Sequence, residues 1–150
     1  MVIYLGADHR GFELKEILKR YLRDAGYEVV DMGNLHKDDA DDYSDFGRRV
    51  AEKISRDPLM SRGILICGSG AGMDILANKF RQVRSVLGFS PDQVFDARHD
   101  DDVNVLSLAA DHLTEEAAKK IVDVFLKTPF GGEERYRRRL DKIADLENVV

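Results

Sequence analysis

The only cysteine of the chain, Cys67, closes an apolar run and is followed by three glycines on alternate positions, Gly68, Gly70 and Gly72, in the segment GILICGSGAGMDILANK from Gly63 to Lys79. Ile64, Leu65 and Ile66 suit a buried parallel strand. Cys67 is then its last residue, and Met73, Ile75, Leu76 and Ala77 resume as a helix. In open parallel sheets ligands sit beyond the carboxyl ends of the strands, where loop amides converge on an anion. Cys67 is therefore expected to face a site and to serve there as a base or a nucleophile. The competing reading is a small buried hydrophobe.

Two further groups carry chemistry: Asp8-His9 after the first strand, and Arg98-His99-Asp100-Asp101 further on. Imidazole, thiol and carboxylates together suit proton transfer, and all three groups are expected on one edge of the sheet. The glycines do not make a dinucleotide fingerprint. Met73 stands where the third glycine belongs, and the segment does not follow the first strand. No Gly-Lys-Ser/Thr phosphate loop is present. The histidines His9, His36, His99 and His112 show no zinc-like spacing with Cys67 or with each other, so no metal is expected.

Positioning these groups requires a regular scaffold, and the apolar periodicity supplies one. Val2 to Leu5, Glu28 to Val30, the run ending at Cys67, Ser85 to Phe89 and Val103 to Leu108 read as five strands. Leu14, Ile17, Leu18, Tyr21 and Leu22 mark a helix stopped by Gly26, and Phe46, Val50 and Ile54 mark another ending near Asp57-Pro58. Pro91 opens a short helix, Thr114 caps one running to Lys127, and a basic helix covers roughly Glu134 to Leu146. Lys37 to Asp42 reads as a solvated acidic loop. Alternating strands and helices imply an α/β fold with a parallel sheet covered on both faces.

With 150 residues, 43% of them hydrophobic, one domain over residues 1–150 is expected. The net charge of −5 argues against nucleic acid as a partner and favours a small metabolite. A single cysteine forms no internal disulfide, and the N-terminus lacks a basic region followed by a long apolar stretch, so a cytoplasmic protein without membrane attachment is expected.

Gly6 to Lys15 (GADHRGFELK), Ile66 to Gly70 (ICGSG), Ala77 to Lys79, Asn104 to Leu106 and the arginine-rich end after Pro129-Phe130 together resemble the sugar-phosphate isomerase family of ribose-5-phosphate isomerase B and galactose-6-phosphate isomerase, over nearly the whole chain. The resemblance implies a Rossmann-like three-layer αβα sandwich with a five-stranded parallel sheet. It implies a homodimer or homotetramer with active sites at the subunit interface, the C-terminal helix packing on a partner. The activity it implies is cofactor-free interconversion of an aldose phosphate and a ketose phosphate, most simply ribose 5-phosphate and ribulose 5-phosphate. Cys67 matches the family's base, and Asp8 and His9 its substrate-contacting pair. Arg135 and Arg139 match its phosphate-binding arginines; on the residues alone, the run Arg135 to Arg139 equally reads as a solvated helix face. The amides of Gly68, Ser69, Gly70, Ala71 and Gly72, with the Ser69 hydroxyl, would stabilise an enediolate as an oxyanion hole does.

The chain departs from that pattern at informative places. The family's His-Asn pair, whose histidine opens the sugar ring, falls on Asp100 and Asp101. An aspartic acid there needs a raised pKa, which repulsion from Asp101 and Asp102 would favour; His99 is the alternative acid if the loop is shifted. A phosphate-binding arginine falls on Asp111, which would repel phosphate and accept hydrogen bonds from sugar hydroxyls instead. Tyr136 stands where histidine is frequent. Asp74 either accepts backbone donors in the first turn of its helix or acts as an extra base beside Cys67. These departures leave open a shorter or unphosphorylated sugar, or a non-catalytic binding protein that kept the fold.

Overall fold

The computed structural model describes residues 1–149. Its elements run β1 Val2–Ala7, α1 Phe12–Asp24, β2 Glu28–Asp31, α2 Tyr43–Arg56, β3 Ser61–Cys67, α3 Ala71–Ala77, β4 Ser85–Gly88, α4 Pro91–Asp101, β5 Val105–Ala109, α5 Glu115–Lys127 and α6 Glu134–Leu146. The strands form one sheet in the order β2-β1-β3-β5-β4, with every neighbouring pair parallel. No helix is long and apolar enough to cross a membrane among the described residues.

Helix ends follow local chemistry. Ser90 accepts a hydrogen bond from the Gln93 amide at 3.2 Å with Pro91 in the first turn, and Thr114 accepts from the Ala117 amide at 3.2 Å. Each side chain satisfies one of the amides that the first helical turn leaves without a partner. Helix α4 is longer than the short segment expected, running unbroken to Asp101 before Asp102 turns left-handed at φ 46°.

The core has two halves, one on each face of the sheet. Ile3, Leu5, Ile64, Ile66, Leu106 and Leu108 pack beneath α1, α4 and α5, while Leu65, Cys67 and Val105 pack beneath α2 and α3. The pleat explains the division, since successive residues of β3 point to opposite faces. It also explains why β3 and β5 read as continuous apolar runs, being covered on both sides.

Chain direction decides what each loop can reach. Every strand points the same way, so its following loop opens on the carboxyl edge, and every covering helix returns the chain to the amino edge. Arg98-His99-Asp100-Asp101 belong to the last turns of α4 and therefore lie at the amino edge, which corrects the expectation that they share an edge with Cys67. Asp102, next in the chain, pairs with Arg84 at 2.9 Å, and Arg84 immediately precedes β4.

Candidate active site

Three strand ends are tied together at the carboxyl edge. The Asp8 amide donates to Ile66 O at 3.3 Å, the Ala110 amide to Cys67 O at 2.9 Å, and the Asp111 amide to Gly68 O at 3.0 Å. This lacing sets Asp8-His9, Cys67-Gly68 and Asp111 side by side across β1, β3 and β5.

Cys67 is buried, 4% exposed, and the Gly70 amide donates to its Sγ at 3.2 Å. That N–H is placed to stabilise charge on sulfur. Gly70 has φ 73°, and a Cβ there would meet Leu87 and come within 3.0 Å of the Leu108 carbonyl carbon, so the loop can turn back on the thiol only with glycine. The exposed Ser69 hydroxyl accepts from the Ala71 amide at 3.4 Å, which leaves its own O–H free to donate. Gly72 lies under the ring of Tyr43.

Asp8 is 6% exposed and its Oδ1 accepts from the Arg10 and Gly11 amides, both at 3.0 Å. His9 is held by Asp41, whose Oδ1 takes the His9 amide at 3.0 Å and lies 2.7 Å from its Nδ1. The Asp41 hydrogen bond raises the His9 pKa above its ordinary 6.5, against a lowering by burial. With Nδ1 engaged, Nε2 is the nitrogen left to meet a ligand. Asp41 is thus no part of a freely solvated loop: its side chain is 7% exposed and also accepts from Asn34 Nδ2 at 3.2 Å. Donor atoms of Asp8, His9 and Asp41 lie within 4.8 Å of one another, but protein hydrogen bonds already occupy Asp8 Oδ1, His9 Nδ1 and Asp41 Oδ1. Asp111 is exposed and forms an ion pair with Arg10.

Asp74 corrects one expectation. Among the described residues no backbone amide donates to its carboxylate, in its own helix or outside it; Ser85 Oγ donates to its Oδ1 at 2.7 Å, with Ser107 Oγ 3.1 Å from Ser85 Oγ. Burial pushes the Asp74 carboxyl above its ordinary value, against the lowering hydrogen bond from Ser85.

A second cluster forms at the amino edge. The His99 ring stacks on Phe95 with centroids 5.6 Å apart and meets Tyr136 edge-on at 5.7 Å. Its Nδ1 lies 2.8 Å from Asp100 Oδ1, and its carbonyl accepts from the Gly131 amide at 2.8 Å. The His99 hydrogen bond holds Asp100 below its ordinary value, helped by the Tyr136 hydroxyl, so the expected upward shift from Asp101 and Asp102 does not occur. Asp102 is occupied by Arg84 and Arg98 instead. Arg135 bonds Glu133 at 2.9 Å and the Tyr136 hydroxyl at 2.9 Å. Asp101 and Arg139 are exposed.

The structure thus brings Asp8, His9, Cys67, the Gly68–Gly72 loop and Asp111 together on one edge, and His99, Asp100, Asp101 and Arg135 on the other, with Arg139 following on α6. Arg10, Asp41 and Tyr43 are additions at the first edge. Arg10 stood within the DHRG motif and was open to inspection there; Asp41 carried no local signal.

A family model described as Ribose/Galactose Isomerase matches residues 3–143. A protein of Mycoplasma genitalium described as probable ribose-5-phosphate isomerase B is 41% identical over 145 residues, 97% of this chain and 95% of that one. Ribose-5-phosphate isomerase B of Mycobacterium tuberculosis is 37% identical over 149 residues, 99% of this chain and 91% of that one. The crystal structure of the Mycoplasma genitalium enzyme with bound ribulose-5-phosphate superposes with a TM-score of 0.96 at 40% identity, covering 99% of this chain and 97% of that one.

Proposed function

The chain belongs to the ribose/galactose isomerase family, and from that premise we propose that it interconverts ribose 5-phosphate and ribulose 5-phosphate with Cys67 as the base. The observation that carries the assignment of the base is the Gly70 amide aimed at a buried Cys67 Sγ at the carboxyl edge. The thiolate takes the proton from C2 of the open-chain aldose, and the C2–H electron pair enters a C1–C2 double bond while the carbonyl electrons move to O1. The same sulfur returns the proton to C1; O1 gains a proton as the C2 hydroxyl loses one, leaving the ketose. Amides of the Gly68–Gly72 loop and the Ser69 hydroxyl stabilise the enediolate. Asp8 and the Nε2 of His9 contact the sugar.

Ring opening falls to the His99–Asp100 pair. Asp100, held ionised by His99, orients the imidazole as the acid. Arg135 and Arg139 bind phosphate from the same edge. Because that edge is opposite Cys67, the complete site takes its base from one subunit and its acid and arginines from another. We therefore read the chain as one domain acting as a homodimer. Two features support this. Helix α6 buries only Tyr136 and leaves Ile143 and Leu146 exposed by 48% and 65%. Beside it runs a groove of about 750 Å³ lined by Val83, Val86, Val103 and Leu140.

The test is ribose 5-phosphate in deuterated water, following ketose formation and deuterium uptake. Cys67→Ala is expected to bind ligand while losing both. Mixing Cys67→Ala with the double variant Arg135→Ala/Arg139→Ala, each inactive alone, is expected to restore about a quarter of the sites through random pairing. Undiminished turnover in Cys67→Ala overturns the assignment of the base, and mixtures that stay inactive overturn the shared site.

A further inference from the structure

Arg10 follows β1 and Asp111 follows β5, yet the two side chains form an ion pair. Strand β3 lies between them in the sheet. The arginine therefore crosses the end of β3, and its guanidinium lies directly over Gly68: a Cβ at Gly68 would collide with Nε and Cζ and come within 2.8 Å of Nη1. Gly68 is the residue after Cys67, so this cation spans the mouth of the candidate site. Only Nη2 meets the carboxylate; Nε and Nη1 have no acceptor among the described residues, and the side chain is 57% exposed.

The pairing also changes the meaning of Asp111. A lone carboxylate at the mouth would repel an anionic substrate. Paired, it neutralises its own field and fixes the direction of a guanidinium whose other donors stay free.

We propose that Arg10, oriented by Asp111, is a substrate-binding residue that grips the phosphate of the sugar phosphate from the subunit carrying Cys67. The inference rests on the isomerase reading and adds to it the residue that holds phosphate on this edge. Phosphate is favoured over the enediolate because a transient oxyanion is best stabilised by rigid, water-excluded donors, which the loop amides provide. A half-exposed guanidinium at the rim suits a permanent charge instead, which the free Nε or Nη1 can meet with a charge-assisted hydrogen bond.

The test measures steady-state kinetics on ribose 5-phosphate, together with binding of inorganic phosphate by calorimetry, for the full chain, Arg10→Ala, Arg10→Lys and Asp111→Asn. Arg10→Ala is expected to raise KM at least tenfold with kcat within threefold, and to weaken inorganic phosphate by a similar factor. Arg10→Lys should recover part of the loss, since a point charge replaces the fork. Asp111→Asn should raise KM by a smaller factor, by loosening the arginine. Unchanged KM and unchanged phosphate binding in Arg10→Ala overturn the inference, as does a fall in kcat at constant KM. A wild-type protein without turnover defeats the isomerase reading alone, because phosphate binding still tests Arg10 directly.

Discussion

Gly70→Ala and Gly26→Ala form a matched pair that isolates what the tight loop over Cys67 demands. Both glycines have positive φ, 73° and 88°, so both substitutions place a Cβ on a left-handed backbone. At Gly26 nothing lies within 4 Å of that Cβ. The cost there is the conformation alone, about 1 kcal/mol. At Gly70 the new Cβ collides with Leu87 Cδ1 and falls 3.0 Å from the Leu108 carbonyl carbon and 3.2 Å from the Ala109 amide nitrogen. Leucine can turn aside, but strand β5 cannot shift without disturbing its ladders to β3 and β4. Overpacking of this kind adds about 1–3 kcal/mol, bringing Gly70→Ala to about 3 kcal/mol. For a chain of this length that lowers Tm by about 6–12 °C, against about 2–4 °C for Gly26→Ala.

Urea unfolding at constant m measures both differences, and isomerase kinetics measure whether the Gly70 amide still reaches the sulfur. Loss of a hydrogen bond to a charged group is worth about 1.5–3 kcal/mol, so kcat of Gly70→Ala should fall by about one to two orders of magnitude. Gly26→Ala should keep full activity. Equal destabilisation of the two variants would refute the argument from close approach, and wild-type kcat in a folded Gly70→Ala would refute the role of the amide.

Two further substitutions test the electrostatics. Asp41 raises the His9 pKa, so its interaction with His9 stabilises the fold fully below pH 6.5 and is lost as pH rises through the folded value; Asp41→Asn should remove this pH-dependent part. The stability gap to wild type would then be widest in acid, and any His9 limb of the kcat/KM profile would move to lower pH. A gap independent of pH would show that Asp41 acts only through its bonds to the His9 amide and Asn34. Burial raises the Asp74 pKa, so the fold loses stability as pH rises from the ordinary carboxylate value through the folded one. Asp74→Asn should therefore be more stable than wild type at neutral pH, lose that gain in acid, and leave kcat unchanged. A large loss of kcat would make Asp74 a second base.

Most of the fold was legible because it is written locally. Leu14, Leu18 and Leu22 repeat at helical spacing, Pro91 and Thr114 announce helix starts, and the strands covered on both faces appear as apolar runs. The glycine loop and Cys67 were legible for the same reason, as a strand, a turn and a helix within one short segment. Charge pairing was not. Asp41 lies 32 positions from His9 and Asp111 lies 101 positions from Arg10, so nothing in the neighbourhood of either acid distinguishes it from a solvated one. The edge on which Asp100 falls was a matter of chain direction, which becomes decisive only when each helix is followed back across its sheet.

That last point bears on how the proposed base, Cys67, and the proposed ring-opening acid, the His99–Asp100 pair, could serve the same sugar. Parallel strands concentrate Asp8, Cys67 and Asp111 at one edge, while the end of α4 and the start of α6 concentrate His99, Asp100, Arg135 and Tyr136 at the other. The two edges also differ in charge. The first carries the acidic stretch Asp38 to Asp42, and the second continues into Arg137, Arg138 and Arg139. Within one copy these surfaces cannot meet; between two copies related by a twofold axis, each acidic edge can face a basic one, twice over. On the reading proposed here, the association that completes the chemistry also brings opposite charges together: Arg135 pairs with Glu133 within its own chain, while Arg137, Arg138 and Arg139, which form no ion pair among the described residues, would meet the acidic edge of the second copy.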